Sequence, residues 1–434
     1  MIQKVLLVGL RFLARRYIVR FRPVIIWVTG TVWKTTTAQF LHDFLRHTFW
    51  EDSVYKSPYN YNGEFGLPIS ILRDKSPWNN KIGWVIFFIR NFFRFFFCNA
   101  YPKYLVLEYG IDRPGEMDYL TSVACPDIAI LTEISPNHVE NFHGFEEYMN
   151  EKIKILECSK ESLVFSWNKK FLKNTNSSIT YYGGEESDLY WIVKNVTPIS
   201  FDCDITYKNE ILKDIRVNLS WTHQLINVLP VFFVGGILGN YDRGDFSIIS
   251  NFSVENGRSQ ILGWMQNSSI VDGSYNGWFL ALSEWIRFMA NFNSTHRVIL
   301  FIGEMRELWD STKELHEKIG ELILNISKNQ WFFYKIFLVG DSMNKFVYPM
   351  LFGEYKDNIF YFSDSRKAGS HIASILKNQD TSKQSIIYVK GSQNTIFLEE
   401  GIKEFLSDNE SISRLCRQSD SWMRKKNDFF KTLN

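Results

Sequence analysis

The chain has 434 residues, a formal net charge of +2 and an aromatic content of 16%. This length allows two or three domains with sizeable cores, and a charge so close to neutral gives no indication of a nucleic-acid partner. The five cysteines are scattered and odd in number. They predict a reducing, cytoplasmic environment with neither a disulfide framework nor a zinc site.

Two apolar segments invite comparison with membrane helices. Residues 3–21 are too short to span a bilayer and are interrupted by Arg11, Arg15, Arg16 and Arg20. For residues 1–22 we predict a basic amphipathic helix that rests on the next domain, with a helix on a membrane surface as the alternative. The segment Ile82–Cys98 is rich in Phe but carries two arginines. We predict a buried helix there, with membrane contact again as the alternative.

The segment Thr29–Thr37 has the pattern of a phosphate-binding loop. It follows the apolar run Val24–Val28, which predicts a buried strand, and leads into a helix predicted over Thr35–Leu45. In such a unit the backbone N–H groups surround phosphate oxygens, the lysine reaches the outer phosphates and the next hydroxyl binds Mg²⁺. The residues in these positions are Gly30, Thr31, Lys34, Thr35 and Thr36.

Trp33 departs from this pattern, because the residue before the loop lysine is normally glycine. Glycine lets the backbone approach the phosphates, whereas an indole obstructs that approach. Considered alone, Trp33 therefore indicates an inactive site.

Two charged side chains follow strands that are predicted downstream of the loop. Glu108 ends the strand predicted over Tyr104–Glu108, and His138 follows the strand predicted over Ile128–Leu131. Ligands of α/β sheets bind at the carboxyl ends of the strands. Alone, Glu108 would be an ordinary strand-end carboxylate and His138 a capping or core histidine. Together with the loop they form a candidate centre for Mg²⁺ and a nucleotide, and Lys152 lies on the next helix.

The second half of the chain returns to α/β alternation after a β-rich stretch over residues 163–217. Four apolar runs predict parallel strands, namely Val298–Ile302, Tyr334–Val339, Ile359–Phe362 and Ile386–Val389. We therefore predict an α/β protein with a central phosphate-loop ATPase domain over residues 23–255, built on a mostly parallel sheet. A Rossmann-like α/β domain follows over residues 256–434.

Nine segments in sequence order resemble the Mur ligase family, the ATP-dependent amide-forming ligases of peptidoglycan synthesis. They are Thr29–Thr37, Asn60–Pro68, Leu107–Leu120, His138–Ile155, His223–Asn227, Gly257–Arg258, Val271–Asn276, Gly303–Leu308 and Lys390–Thr395. Within the family they are most similar to the branch that adds D-alanyl-D-alanine to a UDP-linked muramoyl tripeptide.

The resemblance implies roles for individual residues. Lys34 and the loop amides would hold ATP phosphates, Thr35 and Glu108 one Mg²⁺, and His138 a second Mg²⁺. Lys152 matches a lysine that CO₂ carbamylates into a metal ligand. The remaining positions are Asn227 near the adenine, Arg258 at the γ-phosphate, Asp272 at the ribose, and Asn60, Asn62, Ser274, Tyr275 and Asn276 near the substrates.

The family reaction implied by the resemblance has two steps: ATP phosphorylates a carboxylate, and an amine then attacks the acyl phosphate. Only about 22 residues precede the first predicted strand, so we expect the family's usual N-terminal UDP-binding domain to be missing. This leaves the acyl substrate open, and the sequence does not indicate an oligomeric state. The alternatives are a catalytically impaired Mur-like binding protein and a sister ligase, such as one that adds polyglutamate to folate.

Four tryptophans stand where the family pattern has glycine, namely Trp27, Trp33, Trp221 and Trp309. Trp278 and Trp285 also lie where small residues are expected. Random drift would not select several backbone-critical glycines in one chain. Because some bacteria read the UGA codon as glycine, we hypothesise that these tryptophans are recoded glycines and that the ligase is active.

Overall fold

The computed structural model describes residues 2–58, 61, 63–78, 80–135, 141–172, 178–208, 210–239, 245–263, 267–306, 308–328, 332–392, 395–407 and 410–433. The chain divides into two compact units. The first comprises Met1–Lys194, Asp202–Val217 and His223–Phe252, and the second comprises Asn195–Phe201, Asn218–Thr222 and Ser253–Asn434. The predicted division into residues 1–22, 23–255 and 256–434 stays a prediction.

The first unit alternates strands and helices along most of its length. Its elements are α1 (Ile2–Phe21), β1 (Val24–Thr29), α2 (Lys34–Thr48), β2 (Val54–Lys56), α3 (Gly66–Leu72), α4 (Lys81–Phe97), β3 (Tyr104–Glu108), α5 (Glu116–Val123), β4 (Ile128–Leu131), α6 (Phe145–Ile153), α7 (Ile155–Cys158), β5 (Glu161–Phe165), β6 (Ser178–Gly183), β7 (Leu189–Val196), β8 (Phe201–Tyr207), β9 (Glu210–Val217) and α8 (Leu225–Ile237).

These strands form one nine-stranded sheet in the order β2-β3-β1-β4-β5-β6-β7-β8-β9. The strand β1 pairs in parallel with β3 on one side and with β4 on the other. In this register Val28 lies opposite Glu108, and Thr29 lies opposite Leu131. Since all three strands point the same way, the loops that leave them meet at one edge of the sheet.

The helix α1 belongs to the core of the first unit. Its inward side chains Leu10, Ala14 and Tyr17 are fully buried, and the Tyr17 hydroxyl donates to the Asn91 carbonyl of α4 at 3.0 Å. These contacts place α1 against α4, and the prediction that residues 1–22 form a basic amphipathic helix resting on the next domain stays a prediction. None of the described helices has the length and apolarity that a membrane crossing requires.

The prediction that Ile82–Cys98 forms a buried helix was wrong for most of its apolar side chains. The helix α4 buries Trp84, Phe87 and Asn91, but eight of its apolar side chains are more than half exposed. The sequence misled because α4 is apolar nearly all round, a pattern that is typical of buried helices.

The second unit has its own six-stranded sheet in the order β10-β11-β15-β12-β13-β14. Only the pair β10–β11 is antiparallel. Its elements are β10 (Gln260–Leu262), β11 (Ser268–Gly273), α9 (Phe279–Ala290), β12 (Arg297–Gly303), α10 (Thr312–Lys328), β13 (Lys335–Val339), α11 (Tyr348–Tyr355), β14 (Ile359–Phe362), α12 (Ser365–Asn378), β15 (Ser385–Lys390), α13 (Leu398–Ile402) and α14 (Asp420–Lys431). The predicted α/β fold with a mostly parallel sheet in each half is confirmed.

The scattered cysteines predicted no disulfide framework, but two of the five pair in the structure. The structure joins Cys125 and Cys158 in a disulfide, with Cα atoms 5.8 Å apart. The two lie 33 residues apart in sequence, and only the parallel pairing of β4 with β5 brings the segments in front of these strands together.

Candidate functional site

The phosphate loop joins β1 to α2 at the edge of the first sheet. Gly30 has φ 143°, in the region that favours glycine, and a Cβ at this position would collide with the Thr132 hydroxyl. The same hydroxyl donates to the Val32 carbonyl at 2.7 Å, and the Thr31 amide donates to the Glu133 carbonyl at 2.7 Å. The loop is therefore held against the segment that leaves β4.

The side chains that follow the loop have the arrangement of a nucleotide and Mg²⁺ site. Lys34 and Thr35 occupy the first turn of α2, and the Thr35 hydroxyl donates to the Glu108 carboxylate at 2.9 Å. The Lys34 ammonium folds back to the Thr31 carbonyl at 2.9 Å. A hydroxyl and a carboxylate in contact are oxygen ligands of the kind Mg²⁺ prefers. Thr36 lies in the same turn, next to the helix N-terminus that favours anions.

Lys152 lies on α6 and is almost completely buried. Its ammonium lies over the Tyr148 ring, 4.8 Å from the centroid. Burial, and secondly the positive charge of Lys34, lower the pKa of Lys152 to about 7. A lysine with this pKa carries a neutral, nucleophilic amine over much of the physiological pH range.

Tyr148 connects this lysine with the phosphate loop, and sequence reasoning missed it. Its hydroxyl lies 3.2 Å from the Thr31 hydroxyl, which also donates to the Ser135 carbonyl at 3.0 Å. Asn168 is a second missed residue: its amide donates to the Thr132 carbonyl and its side-chain oxygen accepts from the Ile134 amide. Both contacts join segments that are distant in sequence, so no local pattern could have revealed them.

Asn227 lies in the first turn of α8 and is buried. Its side-chain oxygen accepts a hydrogen bond from the Thr37 hydroxyl of α2 at 3.0 Å. The structure thus places Asn227 beside the helix that begins at the phosphate loop, and its contact with adenine stays a prediction. His138, Asn60 and Asn62 lie outside the described residues.

A second group of predicted residues meets at the edge of the second sheet. Asp272 ends β11 and is fully buried, and burial raises the pKa of its carboxyl to about 6. Its Oδ1 accepts from the Ser274 amide at 2.9 Å, and within the described chain Oδ2 has no hydrogen-bond partner. Lys390 at the end of β15 is also buried, which lowers its pKa to about 8.

Arg258, Tyr275 and Asn276 lie on the two segments that adjoin the end of β11, where the Tyr275 amide donates to the Gly257 carbonyl. The guanidinium of Arg258 lies over the Tyr275 ring at 4.6 Å and pairs with Glu255 at 2.9 Å. The Lys390 ammonium donates to the Asn276 carbonyl at 3.0 Å. The second unit therefore presents one arginine, one lysine and a buried carboxylate at the ends of two parallel strands.

Sequence reasoning also missed Arg417, which contacts the loop that follows β11. Its guanidinium donates to the carbonyls of Ser274 and Tyr275, both at 2.9 Å, and pairs with the fully buried Glu399 at 2.6 Å. A buried arginine with all these partners holds the loop after β11 in one conformation.

Trp33 is the last residue before α2 and adopts φ 67° and ψ −3°, a left-handed conformation. Its ring packs edge-on against His223 at 5.1 Å and Phe165 at 5.7 Å between centroids. From the sequence we expect the indole to obstruct the phosphates. The constraint that the structure shows at residue 33 is instead one on the backbone, which glycine meets without strain.

Left-handed backbone recurs at other tryptophans. Trp33, Trp78, Trp221 and Trp309 have φ of 67°, 49°, 80° and 49°, which is four of the twelve tryptophans in the described parts of the chain. Only ten further non-glycine residues there have positive φ. Positive φ is rare for any bulky residue, so three of the four positions assigned to glycine from the sequence share a glycine-like backbone.

Trp27 differs from these three. It lies within β1, fully buried and stacked on Tyr109 at 4.1 Å. Its indole N–H finds no acceptor among the residues that the structure describes. Trp84 is buried and donates to the Trp78 carbonyl at 2.9 Å, as expected of an ordinary tryptophan.

The fold and the first site define the chain as an α/β phosphate-loop protein. The family model described as "Mur ligase middle domain" matches residues 28–235. A UDP-N-acetylmuramoyl-tripeptide–D-alanyl-D-alanine ligase of Bacillus subtilis is 23% identical over 407 residues, covering 92% of this chain and 79% of the relative. The same-named enzyme of Borreliella burgdorferi is 25% identical, covering 84% and 71%.

Solved structures give the same result for the fold. The crystal structure of a MurF ligase from Thermotoga maritima in complex with ADP superposes with a TM-score of 0.66 at 24% identity, covering 92% of this chain and 83% of that one. Residues 28–235 therefore match a Mur ligase middle domain, and the solved ligase shares the fold over 92% of the chain.

Replacing Lys152 should stabilise the protein most at low pH. The ammonium has a pKa of about 7 in the folded chain and about 10.5 when exposed, so the folded state opposes its charge. This cost is complete below pH 7 and disappears as pH rises to 10.5. In CO₂-free buffer we expect Lys152→Met to raise the free energy of unfolding by roughly 3 kcal/mol at pH 6 and much less at pH 10.

The matched control is Lys154→Met on the same helical segment. The side chain of Lys154 is 33% exposed and pairs with Asp118 and Glu151, which raise its pKa. Its removal should cost a little stability at pH 6. Urea unfolding at both pH values measures the difference, and a Lys152→Met effect that does not change with pH would contradict the assignment.

Proposed function

We propose that the chain is an ATP-dependent ligase that joins D-alanyl-D-alanine to a UDP-linked muramoyl tripeptide by way of an acyl phosphate. The observation that carries the proposal is the meeting of Lys34, Thr35, Glu108 and Lys152 at one sheet edge. The names of the aligned relatives support the choice of substrates.

The residues of the first unit would bind the ATP phosphates and the metal ions. Lys34 and the amides of Gly30 and Thr31 would bind ATP phosphates, and Thr35 with Glu108 would hold Mg²⁺. His138 would bind a second Mg²⁺, with carbamylated Lys152 as a further ligand. When bound, Mg²⁺ supplies positive charge that stabilises the transferred phosphoryl group.

The residues of the second unit would complete the binding of the substrates. Arg258 would pair with the γ-phosphate and Asp272 would accept from the ribose hydroxyls. The unused Oδ2 of Asp272 fits this role, because a buried acceptor without a partner costs free energy until a donor reaches it. Asn227 would contact the adenine, and the substrate positions would be Asn60, Asn62, Ser274, Tyr275 and Asn276.

The reaction would proceed in two balanced steps. A carboxylate oxygen of the acyl substrate attacks the γ-phosphorus, and the bond to ADP breaks. The amine of D-alanyl-D-alanine then attacks the acyl carbon, inorganic phosphate leaves and the amine loses a proton. Lys34 and Arg258 would stabilise the negative charge of the transferred group in the first step.

Phosphate release tests the substrates. With ATP, Mg²⁺ and UDP-muramoyl tripeptide, we expect release to require D-alanyl-D-alanine. Glu108→Gln should lower it more than about 100-fold, because the Mg²⁺ ligand is lost. The matched control Glu146→Gln changes an exposed carboxylate on α6 and should leave the rate unchanged.

Two other outcomes would decide against the proposal. Release that depends on folate and glutamate would identify a sister ligase. Release with no substrate pair, together with tight binding of the muramoyl precursor, would identify an impaired binding protein.

Carbamylation of Lys152 can be observed directly. A neutral amine adds CO₂, so a buried lysine with a pKa of about 7 should react at pH 8, whereas the ion-paired Lys154 should not. We expect one carbamate carbon signal in NMR spectra recorded with ¹³C-bicarbonate. The signal should vanish in Lys152→Gln and persist in Lys154→Gln; persistence in both variants would remove Lys152 from the metal site.

We further propose that the functional protein carries glycine at positions 33, 78, 221 and 309. This proposal rests on the left-handed backbone at all four tryptophans. For Trp27, Trp278 and Trp285 the support is weaker, because their backbone does not have positive φ. Trp285 also stacks on Tyr388 at 5.1 Å as an ordinary core residue would.

Measurements of nucleotide affinity test whether glycine is the functional residue at position 33. A left-handed, β-substituted residue strains the loop by about 1–2 kcal/mol, and the Trp33 ring fixes the loop against His223 and Phe165. Calorimetry with a non-hydrolysable ATP analogue and Mg²⁺ should show at least tenfold tighter binding for Trp33→Gly than for the tryptophan chain. Equal affinity would refute the argument.

Unfolding measurements test the exposed positions with a matched control. Trp78 and Trp309 are 73% and 87% exposed with left-handed φ, whereas Trp50 is 88% exposed with φ −64°. Trp78→Gly and Trp309→Gly should each raise the free energy of unfolding by about 1 kcal/mol, and Trp50→Gly should lower it by a similar amount. UGG codons at all four positions in the coding DNA would refute the proposal outright.

A further inference from the structure

The helices α1 and α4 present a large exposed apolar surface, which we call the outer face. Monomeric proteins rarely expose contiguous apolar patches of more than a few hundred Å², and such patches mark sites of interaction. All but one of its twelve side chains are between 52% and 73% exposed, and Phe97 is 76% exposed. They are Val5, Val8, Phe12, Val19, Ile82, Val85, Ile86, Ile89, Phe92, Phe93, Phe96 and Phe97.

On each helix these side chains form one continuous stripe. At about 100° per residue, the eight on α4 cover an arc of about 140° without a polar interruption, and the four on α1 cover about 60°. The opposite side of each helix is occupied by core residues such as Leu10, Tyr17 and Phe87. The exposed stripes therefore do not contribute to the core of the first unit.

The two stripes form a single surface. The helices run side by side in parallel, because Gly9 of α1 faces Phe88, Tyr17 packs on Phe95, and Arg20 donates to the Cys98 carbonyl. Viewed from the C-terminal ends of the two helices, the apolar stripe of α1 lies clockwise from the side that contacts α4. The stripe of α4 lies anticlockwise from the side that contacts α1. For parallel helices that places both stripes on the same side.

Basic residues border the outer face, and neither helix contains an acidic residue. On α1 the apolar stripe is flanked by Lys4 and Arg15 on one side and by Arg16 and Arg20 on the other. On α4 it lies between Lys81 and Arg90. Arg90 pairs with Asp74 at 2.6 Å, and the Arg16 guanidinium lies over the Phe12 ring at 5.1 Å.

We propose that the outer face docks the protein on the surface of a membrane that contains anionic lipid. Aromatic and aliphatic side chains enter the boundary between headgroups and acyl chains, and a basic border pairs with lipid phosphates. The helices lie in the plane of the interface, in agreement with the absence of any described helix that could cross a bilayer.

The charges favour a lipid surface over a second copy of the chain. Two outer faces in contact would bring like-charged lysines and arginines together at the border, which opposes association. An anionic bilayer supplies both the apolar interior and the complementary charge.

Sedimentation with lipid vesicles tests the proposal on the full chain. We expect binding to vesicles of phosphatidylcholine with one third phosphatidylglycerol, and more than about tenfold weaker binding to phosphatidylcholine alone. Phe93→Ser with Phe96→Ser should weaken binding at least tenfold. The matched control Phe332→Ser with Phe352→Ser changes two phenylalanines of the second unit that are both 46% exposed, and should bind as the parent does.

Charge and folding are tested in parallel. Lys4→Glu with Lys81→Glu should weaken binding to anionic vesicles severalfold, and so should 0.5 M salt. Circular dichroism of every variant establishes that the fold is retained. Failure of the parent to bind any vesicle overturns the proposal, and so do equal binding to neutral vesicles and a chain that dimerises through the phenylalanines of α4 without binding lipid.

Discussion

The parallel pairing of β1 with both β3 and β4 is the constraint on which the site depends. It brings the phosphate loop, the Glu108 carboxylate and the segment after Leu131 to one edge of the sheet. The close approach of Gly30 to Thr132 then fixes the loop against that segment. A wider spacing between these strands would separate the Thr35 hydroxyl from Glu108 and remove the pair that we assign to Mg²⁺.

The backbone conformation of the tryptophans leads to a different interpretation from the size of their side chains. In the sequence Trp33 indicated a damaged loop, because a large ring replaced a glycine. In the structure residue 33 adopts a left-handed conformation, which glycine adopts without strain. The same conformation at Trp221, Trp309 and Trp78 is the observation behind our proposal that these positions carry glycine.

The outer face of α1 and α4 is independent of the nucleotide site in its physical basis. It rests on exposed apolar area and one-sided charge, whereas the site rests on strand pairing and buried polar groups. A ligase of a cell-wall precursor that also binds the membrane surface would work close to its lipid bilayer. The two proposals can fail separately, since vesicle binding does not need ATP.

The sequence by itself determined the periodic elements and the motifs at their ends. The strand Tyr104–Glu108, the helix after Lys34 and the alternation beyond residue 256 were predictable, because apolar period and loop chemistry are local properties. Only the tertiary structure decided which face of α4 is exposed, that Cys125 meets Cys158, and that Tyr148, Asn168 and Arg417 support the sites. Those facts depend on contacts between segments distant in sequence, and no local pattern encodes which distant partner a side chain will meet.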